Sequence, residues 1–170
     1  MAEAAINLTA GQKADRKLDM IFVNVDGSGT ETWELLGRGV EDASVEYNHD
    51  TDTVTDILGI TDVNVSAAKP ELDLDPCTIR GGQKLSAKLL DIERRNAVSE
   101  LSMFDVLHVH CFLGAASGSF TAEKHTGCTI VPQSLGGSDY VGMPMNVHLS
   151  NNKTLGTCTI AAGVPTFTEE

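Results

Sequence analysis

The chain has 170 residues, 41% of them hydrophobic and 21% charged, which is enough apolar material for one domain with a sizeable core and excludes a disordered chain. A formal charge of -12 excludes a protein that grips nucleic acid through clustered lysine and arginine. No apolar run reaches the length of a signal peptide or a membrane span, so the expectation is a cytosolic product with no membrane partner.

Residues 1–16 are small, polar and aperiodic, and read as a flexible N-terminal arm. From Leu18 to Val25 both parities are apolar, the pattern of a strand covered on two faces, and Asp26-Gly-Ser-Gly then turns the chain. Val40 to Asn48 alternates, with Ala43, Val45 and Tyr47 expected inward and Asp42, Ser44, Glu46 and Asn48 outward. A polar hairpin loop is expected at Asn48 to Thr53, followed by strands at Val54 to Leu58 and Val63 to Ala67, until Pro70 and Pro76 break the run.

After Gly81-Gly82 the period changes. Leu85, Leu89 and Ile92 recur at helical spacing with Lys84, Lys88, Asp91 and Arg95 outside, which predicts one helix from Gln83 to Ala97. Strands follow at Met103 to Leu113, Thr126 to Pro132, Asp139 to Leu149 and Thr154 to Ile160, with loops at Ala115 to Ala122 and Leu135 to Ser138. Residues 163–170 read as a flexible C-terminal tail, leaving 17–162 as a single domain. The fold class is mainly β with one helix: two packed antiparallel sheets, a sandwich or partly closed barrel, flanked by an α-helix.

The charge is segregated. Residues 41–75 hold ten of the 24 acids against Lys69 alone, while five of the twelve basic residues, Arg80, Lys84, Lys88, Arg94 and Arg95, fall within residues 80–95. Opposed faces of this kind suit copies that attract one another, or two solvated surfaces. Cys77, Cys111, Cys128 and Cys158 have no CxxC pair and read as reduced core thiols.

Catalytic signatures are missing: there is no Walker A loop, HExxH or GxSxG, and Gly37-Arg38-Gly39 lacks the third glycine of a dinucleotide fingerprint. The loop from Asn48 to Asp52 opens like a calcium loop, but Thr53 stands where the turn needs glycine and Gly59 where it needs glutamate. His108 and His110 share one strand face, where His125 or His148 is the conceivable third ligand, so the ligand set is incomplete and no metal or cofactor is assigned. No catalytic residue is assigned either, and the chain is read as a non-enzyme.

Trp33-Glu-Leu-Leu-Gly-Arg-Gly39 leading into the acidic segment Val40 to Tyr47, the stretch Thr78 to Asn96, the strand Phe104 to Val109 and Gly136-Gly-Ser-Asp139 occur in an order that resembles the tail tube proteins of long-tailed bacteriophages and prophages of Gram-positive bacteria, over about residues 18 to 160. The resemblance implies a virion structural subunit made in the host cytoplasm. Six copies would close a ring by continuing their sheets, and rings would stack through a long loop and terminal arms into a channel for DNA. Its implied partners are itself, a tape measure protein, a tail terminator and tail-tip proteins, with DNA a transient passenger. By the same analogy Asp42, Glu46, Asp50 and Asp52 are expected near the lumen or the ring-to-ring contact, where negative charge repels phosphate. Lys84, Lys88, Arg94 and Arg95 are candidates for contacts between subunits. The alternatives are the inner tube of a contractile tail or phage-like bacteriocin, and a β-sandwich decoration or binding module.

Overall fold

The computed structural model describes residues 5–26, 31–41, 43–115 and 118–170. In chain order the elements are β1 (Asp19–Asn24), β2 (Trp33–Leu35), β3 (Val45–Glu46), β4 (Thr51–Thr55), β5 (Thr61–Val65), β6 (Glu71–Leu74), α1 (Lys84–Arg95), β7 (Phe104–Ala115), β8 (Ser119–Pro132), β9 (Met145–His148), β10 (Lys153–Ala161) and β11 (Val164–Glu169). The architecture is the expected one, mainly antiparallel β with a single helix.

Nine strands form one curled sheet in the order β2-β1-β7-β8-β9-β6-β3, with β10 pairing β8 and β11 pairing β10. The 14-residue β8 joins the two halves. Its residues Phe120 to His125 lie between β7 and β10, whereas Thr129 to Pro132 pair β9. The ladder is irregular between Phe104 and Val106, opposite Gly127 with φ +73°, and a bulge there bends β8 from one half into the other.

Alternation along β1 and β7 feeds two cores. Ile21, Val23, Phe104 and Val106 face a cluster shared with Leu72, Leu74, Ile130, Met145, Val147 and the helix residues Leu85, Leu89 and Ile92. Phe22, Leu107, Val109 and Cys111 face the other way, toward Ala122 and Cys158. The double apolar parity read in Leu18 to Val25 is thus a strand between two cores.

The helix stands where its period placed it. It has one device invisible in its own sequence: Glu34 Oε2, from β2, accepts the backbone N–H of Lys84 (2.7 Å) and Leu85 (3.1 Å) at its first turn, where such donors are otherwise orphaned. Asn96 closes it in the left-handed conformation, φ 52°.

Several expectations need correction. Residues 163–170 are not a loose tail: Val164–Glu169 is β11, with Pro165 opposite Ile160 and Phe167 opposite Cys158. Edge position lets Pro165 sit in a strand without disrupting a ladder on its far side. The prolines at 70 and 76 bracket β6 instead of ending the sheet, and Leu72 and Leu74 between them are buried. Among the described residues of the Val40 to Asn48 segment the strand is Val45–Glu46 alone, and Tyr47 is exposed. Strand Asp139 to Leu149 shrinks to Met145–His148, because Gly136 and Gly142 bond each other across a tight loop. The arm is anchored near its start, since Asn7 donates to the Phe112 carbonyl and Gly114 to that of Ala5, which extends β7 past the end of β1. The turn at residues 27–30 lies outside the described residues.

Candidate functional site

The polar loop expected at Asn48 to Thr53 is instead the stem of a longer ribbon. Beyond the pairing of Val45 with Leu72 and Glu46 with Glu71, Lys69 donates to the Tyr47 carbonyl and Ser66 to that of Asp50, and β4 then pairs β5 from Thr51↔Val65 to Thr55↔Thr61. Asp56 Oδ1 closes the tip by accepting the N–H groups of Leu58 (2.8 Å) and Ile60 (2.9 Å). Two chains running together over about ten residues reach roughly 30 Å from the sheet.

Every residue of β4 and β5 is exposed. Their register puts Thr51, Thr53, Thr55, Thr61, Val63 and Val65 on one face, all of them β-branched, and Asp52, Val54, Asp62 and Asn64 on the other. At the tip Ile57, Leu58 and Ile60 stand in solvent, Ile57 fully. Isolated two-stranded ribbons are marginal in water, and clustered exposed aliphatic groups mark an interaction surface.

The predicted acidic residues fall along this ribbon. Asp52 is on its polar face, Asp50 is at its stem in an ion pair with Lys69 (2.5 Å), and Glu46 is at its root. The Lys69 ammonium holds the Asp50 carboxyl below its ordinary range. Glu46 lies directly across from Glu71, and these two with Asp73 line one small acidic hollow. Asp42 lies outside the described residues.

The basic candidates on α1 divide. Lys84 and Arg94 are exposed. Lys88 instead donates to the Val25 carbonyl (2.6 Å) and sits over the Phe104 ring, and Arg95 forks onto Glu100 (2.9 Å to each oxygen) while also bonding Asp91 (2.8 Å). Those two are engaged within the chain.

A second constellation is partly buried. On the helix-facing side of β7, His108 Nε2 (2.7 Å) and His110 Nδ1 (3.0 Å) both meet Oδ1 of Asp19, the first residue of β1. His110 Nε2 is 3.9 Å from Glu123, whose other oxygen lies 3.6 Å from His125 Nε2 and 2.8 Å from Lys153. Burial opposes ionisation of Asp19, but the hydrogen bonds from the two histidines outweigh it and hold the carboxyl far below its ordinary range. Glu123 is drawn down to about 2, first by the neighbouring His125 imidazole and then by its hydrogen bond from Lys153.

The sequence singled out His108 and His110 and looked to His125 or His148 for a third partner. The structure supplies Asp19, 89 residues before His108. His125 Nδ1 bonds the Ser150 carbonyl (2.6 Å), and His148 lies near Glu71 at 3.7 Å. Asp19 closes an apolar strand from its end, and only the pairing of Asp19 with His110 marks it.

Cys111, Cys128 and Cys158 are buried free thiols, and Cys77 is half-buried. A groove of about 410 Å³ runs between the start of β1, residues 35–41 with Ala43, and β6, with Ile21, Leu36, Val40, Leu72 and Leu74 as its apolar lining.

No family model matches the chain, and no curated protein matches it. Among solved structures it is similar to the tube-terminating cap of the anti-feeding prophage, with a TM-score of 0.51 and 14% identity over 92% of this chain and 99% of that one. It is also similar to the sheath/tube terminator of an extracellular contractile injection system in the extended state, with a TM-score of 0.52 and 11% identity over 86% of this chain and 99% of the other. The chain therefore has a fold shared with tube-terminating proteins of contractile injection systems.

Proposed function

We propose that the chain is a structural subunit of a phage-tail-like tube, in which copies join laterally through sheet edges and successive rings lock through the ribbon of residues 47–69. The observation that carries this reading is the ribbon itself, a projecting two-stranded arm with a β-branched face and an aliphatic tip that finds no cover among the described residues. The fold shared with tube terminators supports it.

In this reading β2, β3 and β11, which end the sheet, meet the edges of neighbouring copies, and rotational closure removes the open edges. The ring has six members and its lumen passes DNA. Glu46, Asp50 and Asp52 lie near the lumen or the ring-to-ring contact and discourage phosphate from adhering. Lys84 and Arg94 meet acids of a neighbour, and residues 5–16 order further on assembly. A tape measure protein, a terminator and tip proteins complete the tail, assembled in a host cytoplasm.

Electron microscopy of the purified chain at rising concentration, beside an Ile57→Asp/Leu58→Asp variant, tests this. Rings or hollow filaments for the parent and loss of stacking in the folded variant are expected. A parent that stays monomeric even with a tip complex as template, or a variant that polymerises like the parent, overturns it. A second reading, a cap that ends a tube, is favoured by the identity of the two similar structures; it predicts single rings that bind a tube end and never stack on themselves.

A further inference from the structure

The Asp19, His108 and His110 cluster brings three potential ligand atoms together around one carboxylate oxygen. One ligand atom from each of the three lies within 4.8 Å of the others. Two imidazoles and a carboxylate reach this point from two paired strands, fixed by the Asp19↔His110 register and by the i, i+2 spacing of the histidines. Their rings stand 4.1 Å apart, and the His108 side chain is only 7% exposed. Rotamers held in this way are preorganised.

We propose that Asp19 Oδ1, His108 Nε2 and His110 Nδ1 form a binding site for one divalent transition-metal ion of the zinc class. Bonds of about 2.0 to 2.2 Å to a tetrahedral ion separate donors by roughly 3.4 Å, so Asp19 Oδ1, now 2.7 and 3.0 Å from the two nitrogens, draws back from both by about half an ångström to admit it. Two imidazoles and one oxygen favour zinc, nickel or copper over magnesium and calcium. The Asp19 side chain is 27% exposed, which lets water reach the remaining position. Arg16 lies 3.7 Å from Asp19 on the other carboxylate oxygen, Oδ2, and leaves Oδ1 to the ion.

The outer contacts suit this role. For His110 to ligate through Nδ1, its proton must sit on Nε2, the nitrogen that faces Glu123 at 3.9 Å. Glu123 is thus the positioning residue that stabilises the ligating tautomer, itself fixed by Lys153 and His125. The ion would tie the first residue of β1 to the middle of β7, next to the turn Arg16–Leu18 that leads in from the arm.

The test is titration of metal-stripped full-length protein with Co²⁺ and then competition with Zn²⁺, read by visible absorption and calorimetry. One equivalent with a four- or five-coordinate cobalt spectrum, displaced by zinc, is expected. Asp19→Asn and His110→Gln abolish it, Glu123→Gln weakens it roughly 10- to 100-fold, and His49→Ala/His148→Ala leaves it unchanged. Should the site variants misfold, ¹⁵N NMR of the parent decides: His108 and His110 ring nitrogens shift at one equivalent of zinc while His49 does not. Absence of saturable binding, binding that the His49/His148 variant loses, or unshifted His108 and His110 resonances overturns the proposal and leaves a purely hydrogen-bonded cluster.

Discussion

Two antiparallel hairpins in this chain meet opposite fates. The β7–β8 hairpin sends Phe104 and Val106 into one core and Leu107, Val109 and Ala122 into another, all with 1% exposure or less, while the β4–β5 hairpin exposes every residue. Both are rich in β-branched or aromatic residues, so strand propensity alone separates nothing. The difference is what lies across each face. The β7–β8 hairpin has neighbouring strands on both sides and α1 over one face, whereas β4 and β5 pair only each other. Local pattern makes the ribbon, and nothing among the described residues covers it.

The largest effect that sharpens this contrast is expected from matched truncations. Leu107→Ala empties a fully buried position and should cost about 2 to 5 kcal/mol in chemical denaturation. Val63→Ala, 61% exposed in the ribbon, should stay within about 0.5 kcal/mol for the monomer while weakening filament formation. Equal costs would mean that the ribbon is already covered in the isolated chain.

A smaller effect tests whether the C-terminal strand is packed against β10. A Cβ on Gly156 would stand 2.2 Å from the Thr168 carbonyl oxygen and 2.8 Å from the Phe167 ring, so Gly156→Ala must push β11 off β10. A loss of about 1 to 3 kcal/mol is expected, with faster amide exchange in residues 164–169. A neutral substitution with unchanged exchange would show that β11 does not pack as described.

The smallest effect is a shift in reactivity. Burial, and then the charge of Asp75, pushes the Cys77 thiol up to about 11 from 9.0. A thiol raised in the folded state contributes stability that is complete below pH 9 and is lost as pH rises toward 11. Alkylation of Cys77, followed on its own peptide by mass spectrometry, should therefore accelerate near pH 11 in the folded chain and near pH 9 in urea. Coincident profiles would contradict that environment.

Sequence by itself determined the elements whose periodicity is complete within one segment. The 3.6-residue recurrence of Leu85, Leu89 and Ile92 marked α1, the double apolar parity of Leu18 to Val25 marked β1 as a strand between two buried faces, and Met103 to Leu113 was legible as a strand, because side-chain direction follows from local backbone geometry. It also flagged the acidic stretch that became the ribbon and placed strands at Val54 to Leu58 and Val63 to Ala67, but not the exposure of both. Burial depends on what arrives across the face, and no residue within the ribbon reports that. Only the tertiary structure decided that β6 fits between its two prolines, that the last residues pair with β10, and that Glu34 caps a helix 50 residues later. Only it brought Asp19 to His108 and His110, since a carboxylate at the end of an apolar strand carries no mark of the histidines that strand pairing sets beside it. Such contacts depend on register between distant strands, and register is fixed by the summed burial of both faces, not by the residues that come to meet.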